Sequence, residues 1–323
     1  MSLSQVGSFP TKKLHTLSDH NGQVHALTYS SGSSQYLLTG STDRTIRLFN
    51  PAKGTLIQKY VGGHGYEVLD ISVAQDNTTF ASVGGDKLVF LWDVATARTV
   101  RRWEGHSGRI NAVSFAGEGD SVVVSGSYDA TVKLWDGKSQ SYKPIMSLGE
   151  AKDSISSVLV SRWEVSAGCV DGRVRTYDIR MGKCIVDVVG HSVTSLAGTK
   201  DGATVLVSTL DSMIRLFDRR DGKLLQSFKD EGFRNEDYRI RAALGMNDSI
   251  VISGSEDGSI YVWDLVEAKL LHKLSHVTMG ITASGSKKRD VVSAVAYCPS
   301  GRKEWCSAGG NGVVVVWGTG EHD

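Results

Sequence analysis

Cysteine is scarce in this sequence, and its placement indicates neither a disulfide framework nor a zinc site. The 323 residues include four cysteines, and no two of them have the Cys-x-x-Cys spacing that thiolate metal sites use. Cys169 and Cys306 stand inside apolar runs, which predicts buried free thiols in a reducing compartment. The nine histidines are dispersed along the chain, so no metal ion or other cofactor is expected.

Long apolar runs and an excess of either charge are also missing. The segment from Met1 to Pro10 is polar and has no signal-peptide core, and no apolar run approaches the about 20 residues of a membrane helix. The 36 basic and 35 acidic residues nearly balance, so charge gives no reason to favour nucleic acid or anionic membranes over protein partners. We therefore expect a soluble intracellular protein that binds proteins, without membrane insertion or direct nucleic-acid binding.

The common catalytic motifs are absent as well. The sequence contains no G-x-x-x-x-G-K-[ST], no H-E-x-x-H and no G-x-S-x-G. The glycine-rich segment 84–86 predicts a strand turn, because no helix follows it to bind a phosphate. The prediction is a protein that is not an enzyme and has no small-molecule substrate.

What the sequence does contain is a repeat. An apolar pair that ends in an aromatic residue, usually followed by Asp, recurs seven times, with 40 to 54 residues between successive aromatics. The aromatic positions are Phe49, Trp92, Trp135, Tyr177, Phe217, Trp263 and Trp317. Seven units with a period of about 40–45 residues are typical of a propeller in which each unit supplies one blade.

A turn residue stands six positions before each aromatic residue. These positions are Asp43, Asp86, Asp129, Asp171, Asp211, Asp257 and Asn311. Short polar residues tolerate the unusual φ of a tight turn. The flanking segments alternate or are β-branched, which predicts strand–turn–strand units with little helix. A histidine opens several units, as at His20, His64, His106 and His191.

This pattern resembles the WD40 repeat family over residues 12–318. The resemblance implies an all-β, seven-bladed WD40 β-propeller whose four-stranded blades surround a channel. Trp317 leaves the final blade without an outer strand, and residues 13–17 precede the first blade, so the N-terminal strand is expected to complete the last blade. The predicted organisation is a flexible N-terminus (1–10), a single propeller (11–318) and a C-terminal tail (319–323).

Two blades carry a set of Ser, His, Asp and Trp that has two interpretations. The sets are His64, Ser82, Asp86 and Trp92 in blade two, and His106, Ser125, Asp129 and Trp135 in blade three. A hydrolase triad uses Ser, His and Asp, but this set recurs with the blade period, which a single active site would not do. The resemblance implies a structural hydrogen-bonded tetrad, in which losing one buried partner costs about 1–3 kcal/mol.

The tetrad is degenerate elsewhere. Blade one has Thr and Phe at the Ser and Trp positions. Blade four has Ala167 and Tyr177 there, and blade five has Val207 and Phe217. These blades are expected to be held more by apolar packing than by polar networks.

In this family the third and fifth residues after the opening histidine, and the residue before each turn Asp, face one side of the ring, here called the top face. By that alignment the candidate protein-binding residues are Gln23, His25, Glu67, Leu69, Arg109, Asn111, Tyr128, Arg239, Arg241 and Glu256. Arg and Tyr beside an exposed Leu have the composition of a binding hot spot. Arg109, Tyr128, Arg239 and Arg241 are expected to point to solvent. The alternative is that these are ordinary wet loop residues.

Two insertions break the period, at 229–238 in blade six and at 276–290 in blade seven. Long loops on a rigid scaffold often carry recognition. The second insertion is equally compatible with a disordered segment without function.

Short segments within the repeats resemble one particular member of this family. Segments 63–70, 171–175 and 178–182 resemble a member of the family that acts as a scaffold for mitogen-activated protein kinase cascades and also occurs with spliceosomes. This implies a monomeric, non-catalytic scaffold within larger complexes, in the cytoplasm and nucleus. Its partners would be kinase-cascade components or, as the alternative, spliceosomal proteins in pre-mRNA splicing. A third hypothesis is an enzyme with its site in the central channel.

Overall fold

The chain folds into a ring of β-sheets. The computed structural model describes residues 9–276 and 291–319. Within these ranges 28 strands form seven four-stranded antiparallel sheets, and no helix is long and apolar enough to cross a membrane. The first strands of successive sheets contact one another around the whole ring. The predicted all-β, seven-bladed propeller is therefore confirmed.

In blades one to six the strands run outward from the channel in chain order. The chain begins with β1 (Lys12–Leu17). Blades one to three are β2 (Val24–Tyr29), β3 (Leu37–Ser41), β4 (Ile46–Asn50), β5 (Thr55–Tyr60); β6 (Val68–Val73), β7 (Thr79–Gly84), β8 (Leu88–Asp93), β9 (Thr99–Glu104); and β10 (Ile110–Ala116), β11 (Val122–Ser127), β12 (Val132–Asp136), β13 (Met146–Leu148).

The remaining blades follow the same order. Blades four to six are β14 (Ile155–Ser161), β15 (Glu164–Cys169), β16 (Arg173–Asp178), β17 (Lys183–Val188); β18 (Val193–Gly198), β19 (Thr204–Thr209), β20 (Met213–Asp218), β21 (Leu224–Phe228); and β22 (Ala242–Gly245), β23 (Ile250–Gly254), β24 (Ser259–Asp264), β25 (Leu270–Ser275). Blade seven supplies β26 (Val292–Tyr297), β27 (Glu304–Gly309) and β28 (Val314–Gly318).

The N-terminal strand closes the ring, as the sequence predicts. β1 pairs antiparallel with β28, from Lys12 opposite Gly318 to Leu17 opposite Val314. This pairing makes β1 the outer strand of blade seven. Closure leaves no open sheet edge between the first and last repeats, and open edges are what promote aggregation.

The ordered structure begins earlier than the predicted boundary at residue 11. Phe9 is 9% exposed and lies 5.5 Å from the Trp305 ring and 5.4 Å from the His272 ring. The backbone carbonyl of Pro10 accepts a hydrogen bond of 2.8 Å from Trp305 Nε1. The expectation of a flexible segment is therefore wrong for residues 9 and 10, because their apolar atoms are covered by blades six and seven. Residues 1–8 lie outside the described residues.

The core consists of apolar layers between neighbouring blades. In one such layer Leu38 of blade one packs in a cluster with Ile71 and Phe80 of blade two. The middle strands are buried on both faces, which explains why they consist of apolar and β-branched runs instead of alternating residues. Cys169 and Cys306 are buried free thiols, as expected.

The turn between the second and third strands needs an unusual backbone conformation. The residue after the turn Asp or Asn has a positive φ in all seven described blades, for example 65° at Arg44 and 82° at Gly258. This left-handed region favours Gly and penalises larger side chains. The polar residue before it stabilises the turn by accepting hydrogen bonds from the following backbone, as Asp257 does from Ser259 N–H at 2.9 Å.

A β-bulge on the innermost strand shapes the channel wall. In six blades the register of the first strand shifts by one residue near its start. The bulged residues are His25, Leu69, Asn111, Ser156, Thr194 and Ser293. A bulged residue leaves the ladder and its side chain is redirected. Side chains and carbonyl groups at these positions are therefore available for contacts outside their own sheet.

Candidate protein-binding face

The four residues of each predicted tetrad are joined by hydrogen bonds. In blade two His64 Nδ1 is 2.7 Å from Asp86 and His64 Nε2 is 2.7 Å from the Ser82 hydroxyl. Trp92 Nε1 donates to the same hydroxyl at 2.8 Å. Because the Asp86 carboxylate can only accept, the imidazole proton lies on Nδ1, and Nε2 of the neutral ring then accepts from the Ser82 hydroxyl.

Blade three repeats this geometry. His106 lies 2.9 Å from Asp129 and 2.8 Å from the Ser125 hydroxyl, which also accepts from Trp135 at 2.8 Å. Both serine side chains are 0% exposed. The network thus ties the loop before the first strand to the turn and to the third strand, within the blade.

Replacing Asp129 by Ala is expected to destabilise the protein by about 1–3 kcal/mol, because His106 and the Ser107 N–H lose their acceptor. Burial disfavours ionisation of Asp129, but hydrogen bonds from Thr131 and the nearby His106 outweigh it and lower its pKa to about 2. A carboxylate with a depressed pKa stabilises the fold above its unfolded pKa of about 4. The difference between the two proteins in urea unfolding should therefore be full at pH 7 and shrink toward pH 2.

The exposed carboxylate Glu118 provides the control, and Glu118→Ala should change stability by no more than about 0.5 kcal/mol. An Asp129→Ala protein with unchanged stability that has lost a hydrolytic activity would support the triad interpretation instead.

Blades one and seven carry variants of the tetrad. In blade one His20 bonds Asp43 at 2.9 Å and the Thr39 hydroxyl at 2.7 Å. In blade seven His276 Nδ1 is 2.8 Å from the Ser307 hydroxyl, which accepts from Trp317 at 2.8 Å. Burial lowers the pKa of His276 to about 4, so this ring is neutral at physiological pH.

The sequence interpretation assigned His276 to the blade-seven insertion and missed its tetrad role. The available signal was the ten-residue spacing of Ser307 and Trp317, which matches Ser82 to Trp92. Residues 277–290, the rest of that insertion, lie outside the described residues.

Blades four and five, in which the tetrad is degenerate, also contain an ion pair at the turn Asp. Arg175 bonds Asp171 at 2.7 Å in blade four, and Arg215 bonds Asp211 at 2.5 Å in blade five. An Arg four residues after the turn Asp thus binds its carboxylate, as Arg47 also does in blade one beside His20. In blade five His191 lies 3.6 Å from the same Asp211. The Asp-x-x-x-Arg spacing was visible in the sequence.

The top face is formed by these turns and by the loops that enter the first strands. Tyr128 is 59% exposed there, and the guanidinium of Arg109 lies 5.3 Å from its ring centroid in a cation–π contact. This pair points to solvent, as predicted. Gln23, His25, Glu67 and Leu69 are partly buried.

Beside the Arg109–Tyr128 pair, the top end of the channel opens into a cavity of about 250 Å³, here called the channel mouth. Its lining residues include Gln23, His25, Glu67, Leu69 and Arg239. Burial, followed by the positive charges of three arginines, lowers the pKa of His25 to about 4. Seven of the predicted residues therefore lie around one opening: Gln23, His25, Glu67, Leu69, Arg109, Asn111 and Arg239.

Arg239 and Arg241 do not point freely to solvent, so that expectation is wrong. Arg239 donates to the carbonyls of Asn111, of Ser156 at 3.0 Å and of Leu69 at 3.0 Å. Arg241 bonds Asp70 at 2.7 Å and the Leu69 carbonyl at 2.8 Å. These three carbonyls belong to bulged residues, which leave the ladder and accept bonds from elsewhere. Blade six is thereby linked across the channel to blades two, three and four.

Asn111 and Glu256 are also structural, contrary to their assignment as partner-binding residues. Asn111 is 7% exposed, and its amide donates to the Ile155 carbonyl of blade four at 2.7 Å. Glu256 is 7% exposed, and its carboxylate accepts three backbone N–H bonds from residues 236–238. Glu256 therefore orders the end of the blade-six insertion, where a buried carboxylate needs several donors.

Two residues at this face were missed by the sequence interpretation. Asp70 is 7% exposed and pairs with Arg241 across 171 residues of chain. Tyr238, at the end of the blade-six insertion, lines the channel mouth. An acidic residue inside the apolar run Val68–Val73 was the one available signal for Asp70. Among the described residues, no group of acidic, histidine and cysteine side chains has the arrangement of a metal site.

These features define the class of the protein, a seven-bladed propeller with Ser–His–Asp–Trp networks inside its blades. The family model described as WD domain, G-beta repeat, matches residues 11–50, 54–93, 97–136, 182–218 and 240–264. These ranges cover more than half of the chain, which therefore belongs to the WD40 repeat family. The family model does not match the units that end at Tyr177 and Trp317. The first of these has a degenerate tetrad, and the second contains the blade-seven insertion.

Similar proteins match the chain over most of its length. The chain is 43% identical to WD repeat domain-containing protein 83 of Rattus norvegicus over 291 residues, covering 90% of this chain and 87% of the relative. It is 39% identical to the protein of the same name in Danio rerio, over 99% and 96% of the two chains. A homolog in Dictyostelium discoideum is 31% identical over 86% of this chain and 94% of its own.

Proposed function

We propose that this chain is a non-catalytic scaffold that holds partner proteins on its top face. The observation that carries this proposal is the exposed Arg109–Tyr128 pair beside the channel mouth. Tyr and Arg are the residue types that dominate binding energy at protein interfaces. The pair stands on turns that a hydrogen-bonded blade holds rigid, so little conformational entropy is lost when a partner binds.

The Ser, His and Asp sets support a scaffold over an enzyme. Ser82 and Ser125 are fully buried, and each hydroxyl already accepts a bond from a tryptophan. A nucleophile must reach its substrate, and these hydroxyls cannot do so without unfolding of the blade. The set also recurs in successive blades, which a single active site would not do. This recurrence supports a structural role.

The partner class is proposed from similarity. Segments 63–70, 171–175 and 178–182 resemble the mitogen-activated protein kinase organizer. The relatives named WD repeat domain-containing protein 83 are this same protein. We infer kinase-cascade components as partners, bound by a monomeric propeller in the cytoplasm and nucleus. Spliceosomal proteins are the alternative partner class, and the capture experiment below separates the two.

Two cation–π pairs on opposite faces allow a matched test. The top variant carries Arg109→Glu and Tyr128→Ala. The bottom variant carries Arg180→Glu and Trp163→Ala, a pair 5.4 Å apart on the turns of blade four. Each tagged protein is used to capture partners from a native extract, with quantitative mass spectrometry and thermal unfolding of the same samples. The top variant should lose its partners by about tenfold or more, because anchor residues contribute about 2 kcal/mol or more.

Both variants should unfold near the wild-type temperature, since the substituted side chains are exposed. Capture of kinases by the wild type and the bottom variant supports the signalling role, whereas capture of small nuclear ribonucleoproteins assigns the alternative one. Loss of partners in the bottom variant alone would place the interface on the opposite face and contradict the proposal.

A further inference from the structure

The partly buried guanidinium of Arg239 lies at the floor of the channel mouth. The pKa of Arg239 falls to about 9 because burial removes water from the guanidinium, and the neighbouring Arg241 lowers it further. Three of its five N–H groups bond to backbone carbonyls. Among the described residues, no Asp or Glu forms an ion pair with Arg239. Buried charges ordinarily require a partner of opposite sign.

Neither Asp70 nor Glu67, the carboxylate that lines the channel mouth, forms an ion pair with Arg239. Asp70 accepts bonds from Arg241 at 2.7 Å, from Val113 N–H at 2.9 Å and from Ile71 N–H at 2.9 Å. The Glu67 carboxylate lies over Gly85, within 2.9 Å of the position that a Cβ of residue 85 would take. Among the described residues, the guanidinium at the floor of the cavity therefore has no carboxylate bonded to it, although Asp70 contributes an opposite charge nearby.

The rim of the cavity also carries a positive charge. Arg109 is exposed at the opening, where its stack on Tyr128 holds the guanidinium in place. His25 is a neutral hydrogen-bonding group at physiological pH, because its pKa is about 4. A chain segment that enters the mouth thus meets one cation at the rim and a second one at the floor.

We propose that the channel mouth accepts an acidic side chain of a partner protein, whose carboxylate pairs with Arg239 and Arg109. The inference rests on the proposed function, since it names the chemistry that the top face recognises. A guanidinium binds a carboxylate through paired N–H donors, and two N–H groups of Arg239 make no hydrogen bond to the described residues. At about 250 Å³ the cavity is smaller than the about 300–1,000 Å³ of small-molecule sites and suits one protein side chain.

The test uses fluorescein-labelled hexaglutamate as the probe, with hexaglutamine and hexalysine as controls. Binding is measured by fluorescence polarisation at several salt concentrations. The wild type should bind hexaglutamate alone, and more weakly as salt rises, because the attraction is electrostatic. Gln23→Glu places a carboxylate of nearly unchanged size in the cavity wall. It should reduce affinity for the probe about tenfold, whereas Gln23→Met, of similar length, should retain most of it.

A second pair of variants tests the rim. Arg109→Gln should weaken hexaglutamate binding about tenfold, while Arg220→Gln, an exposed arginine on the bottom turn of blade five, should not. Equal binding by all variants, or no binding by the wild type, would overturn the inference. Tighter binding of oligothymidylate that Arg109→Gln also abolishes would assign the mouth to nucleic acid and overturn it as well.

The outcome is separable from that of the proposed function. If the top variant loses its protein partners but no protein form binds hexaglutamate, the scaffold stands and the acidic side chain is wrong. If hexaglutamate binds at the mouth while partner capture is unaffected by the top variant, the anion site stands and the top-face scaffold is wrong.

Discussion

Removing residues 1–17 is expected to open the ring and produce a protein that aggregates or unfolds at a much lower temperature. The deletion takes away β1 and exposes the edge of β28 that pairs with it. The five residues of β28 are all buried. It also removes Leu17, which is 4% exposed in the core between blades seven and one, and uncovers Trp305 by loss of Phe9. An exposed apolar edge strand is a template for association with another chain.

Size-exclusion chromatography and thermal unfolding of the truncated protein measure this effect. The fall in stability should exceed the about 1–3 kcal/mol expected for a single broken hydrogen-bond network. A matched control deletes residues 1–8 alone, which keeps Phe9, Pro10 and β1, and should leave both readouts near wild type. A monomeric 18–323 protein with an unchanged unfolding temperature would show that β1 is dispensable for closure.

Replacing Arg239 by Met is expected to be the most destabilising single substitution at the top face. The change removes three hydrogen bonds that link blade six to blades two, three and four. Each stranded carbonyl that water does not reach costs about 1–3 kcal/mol. Channel water can solvate part of the set, so we expect a loss of at least about 2 kcal/mol in the free energy of unfolding by urea.

The same substitution at Arg109 is the control, because this side chain is exposed and its change should stay within about 0.5 kcal/mol. Met fills a volume similar to that of Arg, so the comparison isolates the charge and its donors. Replacing a buried charge by an apolar residue sometimes stabilises a protein. An Arg239→Met protein that is more stable than wild type would mean that the arginine is retained for binding and not for the fold.

The architecture was predictable because it rests on a period. Recurrence of an aromatic residue six positions after a turn residue marks one hairpin per blade, and seven such marks determine the number of blades. The missing outer strand after Trp317, together with spare residues before the first blade, predicted closure. Tetrads in blades two and three were predictable for the same reason, since their four members lie within 29 or 30 residues of one chain segment.

The top face was only partly predictable. Counting from the opening histidine placed Gln23, His25, Glu67, Leu69 and Arg109 around one opening, since β-strand periodicity and the bulge determine which residues face the channel. The same counting included Asn111, which is buried. It could not tell that the Asn111 amide reaches the next blade, because that contact depends on the distance between neighbouring sheets. Glu256 was misassigned for a similar reason, since its partners are backbone groups of a loop about 20 residues away.

The sequence by itself determined the blades, their order and the strand that closes the ring, because those features depend on residues close together in the chain. Only the tertiary structure decided the role of Arg239 and Arg241. Their partners lie 83 to 172 residues away, on blades that come together across the channel only when the ring is closed. A linear pattern records on which side of a strand an arginine lies, but whether it meets water, a carbonyl or a carboxylate is decided by the opposite wall.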